Sequence, residues 1–485
     1  MKLPKLIQGG MGVAISDWRL AKTVSQLGQL GVVSGTGINR VLASRLMDGD
    51  LSGHVRRALE NFALPEPVQA IISRYYTPGG KAPETPYKTP VAYSIRPPKF
   101  LDQITAIANY VEVFLAKEGH SGIVGINLLE KVQMPNLASL YGAMLAGVDV
   151  VLMGAGIPTQ VAGILDKLSN HEPVSYRVDV HGAGKDDDHR IHFDPESVFP
   201  GISKLVGKLK RPKFLPIISS VVLAQALLKR SEGPVDGFVI EGPTAGGHNA
   251  PPRGTVNLNE KGEPIYGEKD VVDLEKMKQL GLPFWLAGGY GNPKQVQSAL
   301  DAGAAGVQVG TAFSLCDESG MRDDLKKRLL QKVRAEEAEV FTSPLTSPTG
   351  FPFKVAQLEG TLSDPEAYGA RNRICDLGYL RILYKKEDGS VGYRCAAEPV
   401  DAFVKKGGSV EDTVNRSCLC NNLTATAGFP QIRKDGYVEQ PIITSGDDLV
   451  SAGQFIKEGK TSYSAEDVIR YLLGPLFQQG AASSM

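Results

Sequence analysis

Three features predict an α/β fold, a (β/α)8 TIM barrel with insertions and a smaller C-terminal module. Eight short apolar runs alternate with segments of helical character, the runs are continuously apolar, and most end in small residues. Continuous apolar strands are expected where both faces of a sheet are covered. Function is then expected at the C-terminal ends of the strands. An open doubly wound sheet is the alternative that the pattern leaves standing.

Residues 5–10 (KLIQGG) read as the first strand, followed by the helix SDWRLAKTVSQLGQLG with Ser16 or Asp17 at its N-cap. GVVSG is the second strand, and 122–129, 148–156, 214–220, 236–243, 284–289 and 305–311 supply the other six. MPNLASLYGAMLAG, PTQVAGILDKLSN, SVVLAQALLKR and NPKQVQSALDAG are the helices between them. The last is well punctuated: Asn292 caps it, Pro293 takes its first position and Gly303 closes it.

Two insertions interrupt a barrel expected over residues 1–340. Residues 52–121 carry the Pro/Gly/Lys-rich TPGGKAPETPYKTP, a surface excursion, and 172–195 read as a β-hairpin around a Gly/Asp turn. Past FTSPLTSPTGFPFK, a linker-like run, residues 341–485 form a C-terminal extension with four of the five cysteines.

Lysine plus arginine equals aspartate plus glutamate, 53 each in 485 residues, so no overall field attracts nucleic acid or an anionic membrane. No run approaches the roughly 18 apolar residues of a membrane span, and no secretory cleavage pattern follows the N-terminus. An odd five cysteines argue against a disulfide framework. The expectation is a cytoplasmic protein, for which the glycosylation-like NRS and NLT are noise.

Glycines gather where strands should stop: Gly9–Gly10, Gly154 and Gly156, Gly246–Gly247, Gly288–Gly289 and Gly310 before Thr311. The seventh and eighth strand ends are the recurring phosphate site of this barrel, and AGGYGNP runs into a helix N-terminus suited to an anion. Neither G-x-G-x-x-G nor a P-loop is present, so a Rossmann or P-loop nucleotide site is unsupported. His248, after two glycines at the sixth strand end, is the candidate for proton or hydrogen-bond chemistry at the mouth. His181, His189 and His192, beside Asp186–Asp188, read as a solvated turn rather than a metal site. Cys375, Cys395, Cys418 and Cys420 have spacing unusual for zinc; whether they bind a metal is left open, with none expected.

In this order, IQGGMG, GVVSG, GINLL, VIEGPTAGGHNAP, WLAGGYGNP and GVQVGTAF resemble the FMN-dependent nitronate monooxygenase family, formerly 2-nitropropane dioxygenases. Flavin-type enoyl-acyl carrier protein reductases share the set. The resemblance covers roughly residues 4–355 apart from the insertions. It implies FMN at the barrel mouth, with Gly10 and Met11 against the ring and Asn127 hydrogen-bonding it. Ala245 and Gly246 would pass beside it, and Gly288, Gly289, Gly310 and Thr311 would hold the phosphate with Gln308 nearby. His248 matches the family's active-site histidine. The implied reaction is oxidation of alkyl nitronates with O2 to a carbonyl compound and nitrite, so the partners are a small-molecule substrate and O2. The rivals are an NAD(P)H-dependent enoyl-thioester reductase and a flavin-binding subunit of a larger synthase, docking through the C-terminal module; a homo-oligomer is left open. The sequence departs from the family at Gly10, where proline is usual, at Thr244, where an acid is frequent, and in the 52–121 and 355–485 segments.

Overall fold

The computed structural model describes residues 3–184 and 186–482. The eight apolar runs become eight parallel strands: β1 (Leu6–Gln8), β2 (Gly31–Ser34), β3 (Val124–Leu129), β4 (Val150–Gly154), β5 (Lys213–Ile218), β6 (Phe238–Glu241), β7 (Phe284–Ala287) and β8 (Gly306–Val309). They pair in cyclic order, β1-β8-β7-β6-β5-β4-β3-β2. The ring closes where Leu30 bridges Ile7, with Gln8 N donating to Leu30 O at 3.0 Å and Leu30 N to Leu6 O at 3.1 Å. The fully buried Gln8 side chain adds to this seam, since Oε1 accepts from Val32 N at 2.9 Å. The protein is a TIM barrel.

Ile7, Val32, Val150, Leu152, Leu215, Val239 and Trp285 fill the interior, a packed core rather than a pore. Trp285 keeps its one polar group paired by donating from Nε1 to Pro4 O at 2.9 Å.

The outer ring consists of α1 (Trp18–Gln26), α2 (Lys99–Lys117), α3 (Asn136–Leu145), α4 (Val161–Ser169), α5 (Val221–Arg230), α6 (Leu274–Gln279), α7 (Pro293–Asp301) and α8 (Ala465–Ala482). Asp17 caps α1 by accepting from Arg19 N and Leu20 N, and Asn292 caps α7 by accepting from Gln295 N. The excursion assigned to 52–121 is shorter, because 19 of its residues, Lys99–Lys117, are α2, the ring helix between β2 and β3. Fourteen of those residues are buried, since helices Ile38–Met47, His54–Glu60 and Pro65–Tyr75 cover α2 from outside. A helix covered all round shows no polar face, which hides its identity in the sequence.

Residues 341–464 lie across the barrel, and α8 then returns to pack between α7 and α1. Side chains on both sides of 340/341, such as Leu330 and Ala356, share one hydrophobic core. The proline-rich excursion is gripped by this later chain: Tyr87 N donates to Gln431 Oε1 at 2.9 Å and Gln431 Nε2 to Tyr87 O at 3.0 Å.

The hairpin forms, Val174–Arg177 pairing antiparallel with Arg190–Phe193. Its far end is not a free solvated turn. Val180–His181 add in parallel to Leu383–Tyr384, and Asp187 pairs with Lys385 at 2.7 Å. The local pattern contained no trace of a partner about 200 residues away. Lys185 at its tip, and residues 483–485 of the C-terminal extension, lie outside the described residues. Among the described residues no helix is long and apolar enough to cross a membrane, and no group of three or more His, Cys, Asp or Glu side chains is arranged to hold a metal ion. All five cysteines are unpaired.

Candidate functional site

A cavity of about 240 Å³ opens at the C-terminal ends of the strands. Every residue that the sequence singled out for the site borders it: Gly10 and Met11 after β1, Asn127 on β3, Ala245, Gly246 and His248 after β6, Gly288 and Gly289 after β7, and Gln308, Gly310 and Thr311 at the end of β8. Chain far apart in sequence forms the roof: Phe353, Tyr379, Leu380, Leu419, Cys420 and the strap Thr444–Gly446.

The floor is built on contacts that need glycine. A Cβ at Gly10 would lie 2.2 Å from Asn127 Cβ and 3.2 Å from Val32 Cγ1, so this chain has no room for the family's usual proline. That packing brings Asn127 Nδ2 to Gly10 O at 3.3 Å and leaves Asn127 Oδ1 buried without a partner. Gln308 Oε1 is also buried and unpartnered. Buried polar atoms are nearly always hydrogen-bonded, so two orphaned amide oxygens lining one cavity point to a ligand with donors. Gly288 and Gly289 have φ of 90° and 76°, a conformation open to glycine that turns the chain from β7 toward α7.

Thr244 stands where the family often has an acid, and its side chain braces this turn. A Cβ at Gly288 would lie 2.9 Å from Thr244 Oγ1. Beside it, Thr311 Oγ1 accepts from Gly446 N at 2.9 Å.

His248 belongs to a two-residue strand, Gly247–His248, paired antiparallel with Phe353–Lys354. Its ring meets Phe353 edge-on at 4.9 Å, and Nε2 lies 2.7 Å from Ser347 Oγ. Burial, with the Lys131 charge nearby, lowers its pKa to about 4. The imidazole is therefore neutral at pH 7.

Sequence reasoning missed Glu241, Ser347 and Asp448. Glu241 ends β6 on the cavity wall, and burial pushes its pKa up to about 8. A signal existed: an acidic residue closing the otherwise apolar run FVIE at the functional rim. Burial also raises Asp448, against a backbone hydrogen bond from Gly291. Ser347 and Asp448 had no local signal, being delivered by chain after the last barrel strand.

The sequence profile of nitronate monooxygenase matches residues 203–348, from just before β5 to just past the strand Val340–Ser343. A probable nitronate monooxygenase of Bacillus subtilis is 34% identical over 131 residues, 27% of this chain and 36% of that protein. A nitronate monooxygenase of Pseudomonas aeruginosa is 32% identical over 136 residues, 28% of this chain and 37% of that protein. The match thus spans about a third of the length of these curated relatives. A nitroalkane oxidase structure from Streptomyces ansochromogenes superposes with a TM-score of 0.48 at 15% identity, covering 99% of this chain and 97% of that one. The similarity to nitronate monooxygenases is carried by residues 203–348, which hold the second half of the barrel and His248.

Proposed function

We propose that the protein is an FMN-dependent oxidoreductase that oxidises alkyl nitronates with O2 to a carbonyl compound and nitrite. The observation that carries this reading is the pair of orphaned amide oxygens, Asn127 Oδ1 and Gln308 Oε1, on the wall of a glycine-lined cavity in a chain with nitronate monooxygenase sequence. They fit the donor edge of a flavin ring. The turns at Gly288–Gly289 and Gly310–Thr311 suit its phosphate. When bound, FMN supplies the electron transfer and the reaction with O2, and the protein supplies position and electrostatics.

His248 then acts on the substrate. A pKa of about 4 makes it a weak base at neutral pH, so it serves an anionic nitronate better as a neutral hydrogen-bond donor than as a proton acceptor. Ser347 at 2.7 Å from Nε2 fixes the ring, and Phe353 restricts its tilt. Phe353, Leu380 and Leu419 in the roof keep bulk water from the reacting atoms. Five unpaired cysteines accord with a reducing, cytoplasmic setting.

The test is the visible spectrum of the purified protein, recorded before and after anaerobic addition of NADPH and then of a nitronate. Flavin bands that persist with NADPH and bleach with nitronate are expected. Bleaching by NADPH would favour a reductase instead. A colourless protein that does not take up FMN would overturn the reading.

A further inference from the structure

The cavity is made almost without charge. Among the described residues that border it there is no lysine or arginine. Its titratable groups include His248, held neutral, and two carboxyls, Glu241 and Asp448, both displaced by burial toward the protonated form. The cation nearby, Lys131, acts on His248 from outside the lining, and burial lowers its pKa to about 8. An anion in this space is therefore held by neutral donors, and a pH effect due to Lys131 would persist in Glu241→Gln.

Glu241 is placed to be one of them. It ends β6 in register with Ala287 of β7, and its carboxyl has no hydrogen-bond partner among the described residues. Asp448 differs, because its carboxylate already accepts from Gly291 N. On the far side of Glu241, a pocket of about 30 Å³ is bordered by Arg253, Tyr266 and Asp270. Arg253 is engaged there with Lys269 O and Ser219 O, and its backbone N with Asp270 Oδ1. On the cavity side Glu241 shares the lining with His248 and Asp448.

We propose that Glu241 is a substrate-recognition residue that works as a neutral carboxylic acid, donating its O–H hydrogen bond to an oxygen of an anionic ligand. The cavity accepts anions only while that proton is held. The assignment rests on the proposed oxidation of an anionic nitronate and adds which side chain recognises it. Loss of the proton turns the donor into a carboxylate that repels the same oxygen, so selectivity for anions reverses within one site. Glutamine keeps a neutral donor at this position at all pH values, which separates the role of the proton from that of the side chain's shape.

The experiment uses nitrite, an anion throughout the range, with the full-length protein as purified. Binding is measured by calorimetry from about pH 6 to about pH 9.5, and affinity should fall close to tenfold per pH unit above about pH 8. Glu241→Gln should bind nitrite at pH 6 within a fewfold of the parent and lose the decline. Glu241→Ala should bind more weakly, also without the decline. Acetone, a neutral probe, should bind independently of pH in all three proteins. Nitrite affinity that is flat with pH in the parent, an unchanged decline in Glu241→Gln, or no nitrite binding at pH 6 would each overturn the proposal. A second readout is the infrared difference between the parent and Glu241→Gln at about pH 7.5, where Asp102 is mostly ionised: the parent should show extra protonated-carboxyl absorption that shifts in D2O. A protein that shows these nitrite and infrared profiles yet does not oxidise nitronates would refute the proposed reaction and leave this role for Glu241 in place.

Discussion

Gly446 N donates to Thr311 Oγ1 at 2.9 Å, tying a strap from late in the chain to the last rung of the barrel mouth. The approach leaves no space for a side chain, since a Cβ at Gly446 would lie 2.8 Å from Thr244 O and 3.0 Å from Thr311 Oγ1. Gly446→Ala should destabilise the fold by about 1–3 kcal/mol through overpacking. It should also weaken retention of FMN, because it displaces Thr311 and the turn beside it. Denaturant melts and FMN retention on dialysis check both effects.

Ser347 is expected to position His248 without touching substrate. Ser347→Ala removes the 2.7 Å contact at Nε2, a loss of about 1 kcal/mol or roughly fivefold in turnover, with the melting temperature little changed. Threonine at 347 keeps the hydroxyl and should restore most of the rate. His248→Ala should cost roughly a hundredfold or more in nitronate turnover. Steady-state kinetics on the three variants check the ranking; unchanged turnover in His248→Ala would refute its role.

Glu241 should also leave a mark on stability. The folded protein keeps this proton up to about pH 8, whereas an unfolded glutamate releases it at about 4.3. Between those values the folded state binds more protons, so the group's contribution falls as pH rises through the window and is fully lost above about pH 8. Glu241→Gln should gain on the parent across the same window, by on the order of 2 kcal/mol at its alkaline end. Urea melts at about pH 5 and about pH 9 give the comparison. His248 has the opposite sense: its lowered pKa withdraws stability as pH falls from about 6.5 toward about 4.

Helix α8 should be structural. Leu472 is fully buried on it, and Leu472→Ala is expected to cost about 2–4 kcal/mol by leaving a cavity. Removal of residues 465–485 uncovers parts of α1 and α7 together and should abolish cooperative unfolding. Thermal melts followed by circular dichroism check both.

The barrel was legible because each strand is a contiguous apolar word, as in GVVS and FWLA, and each glycine-ended strand marks the rim by itself. His248 and Gly288–Gly289 were readable for the same reason, being short-range motifs. Ser347, Phe353 and Gly446 were not, because their meaning comes from pairing with His248 or Thr311 across about 100 residues or more. Helix α2 escaped for another reason: with Asn109 and Glu112 buried among its apolar side chains, it has no solvent face to give it a period. Glu241 was visible but read only as the end of a strand, since its burial is set by tertiary packing.

Because α8 fills the place between α7 and α1, the first and last helices of the ring are neighbours. A ribosome that has made all eight strands has still not made the helix that seals them. Until residues past 464 emerge, apolar faces of α1 and α7 stay uncovered, a period in which chaperones have something to hold.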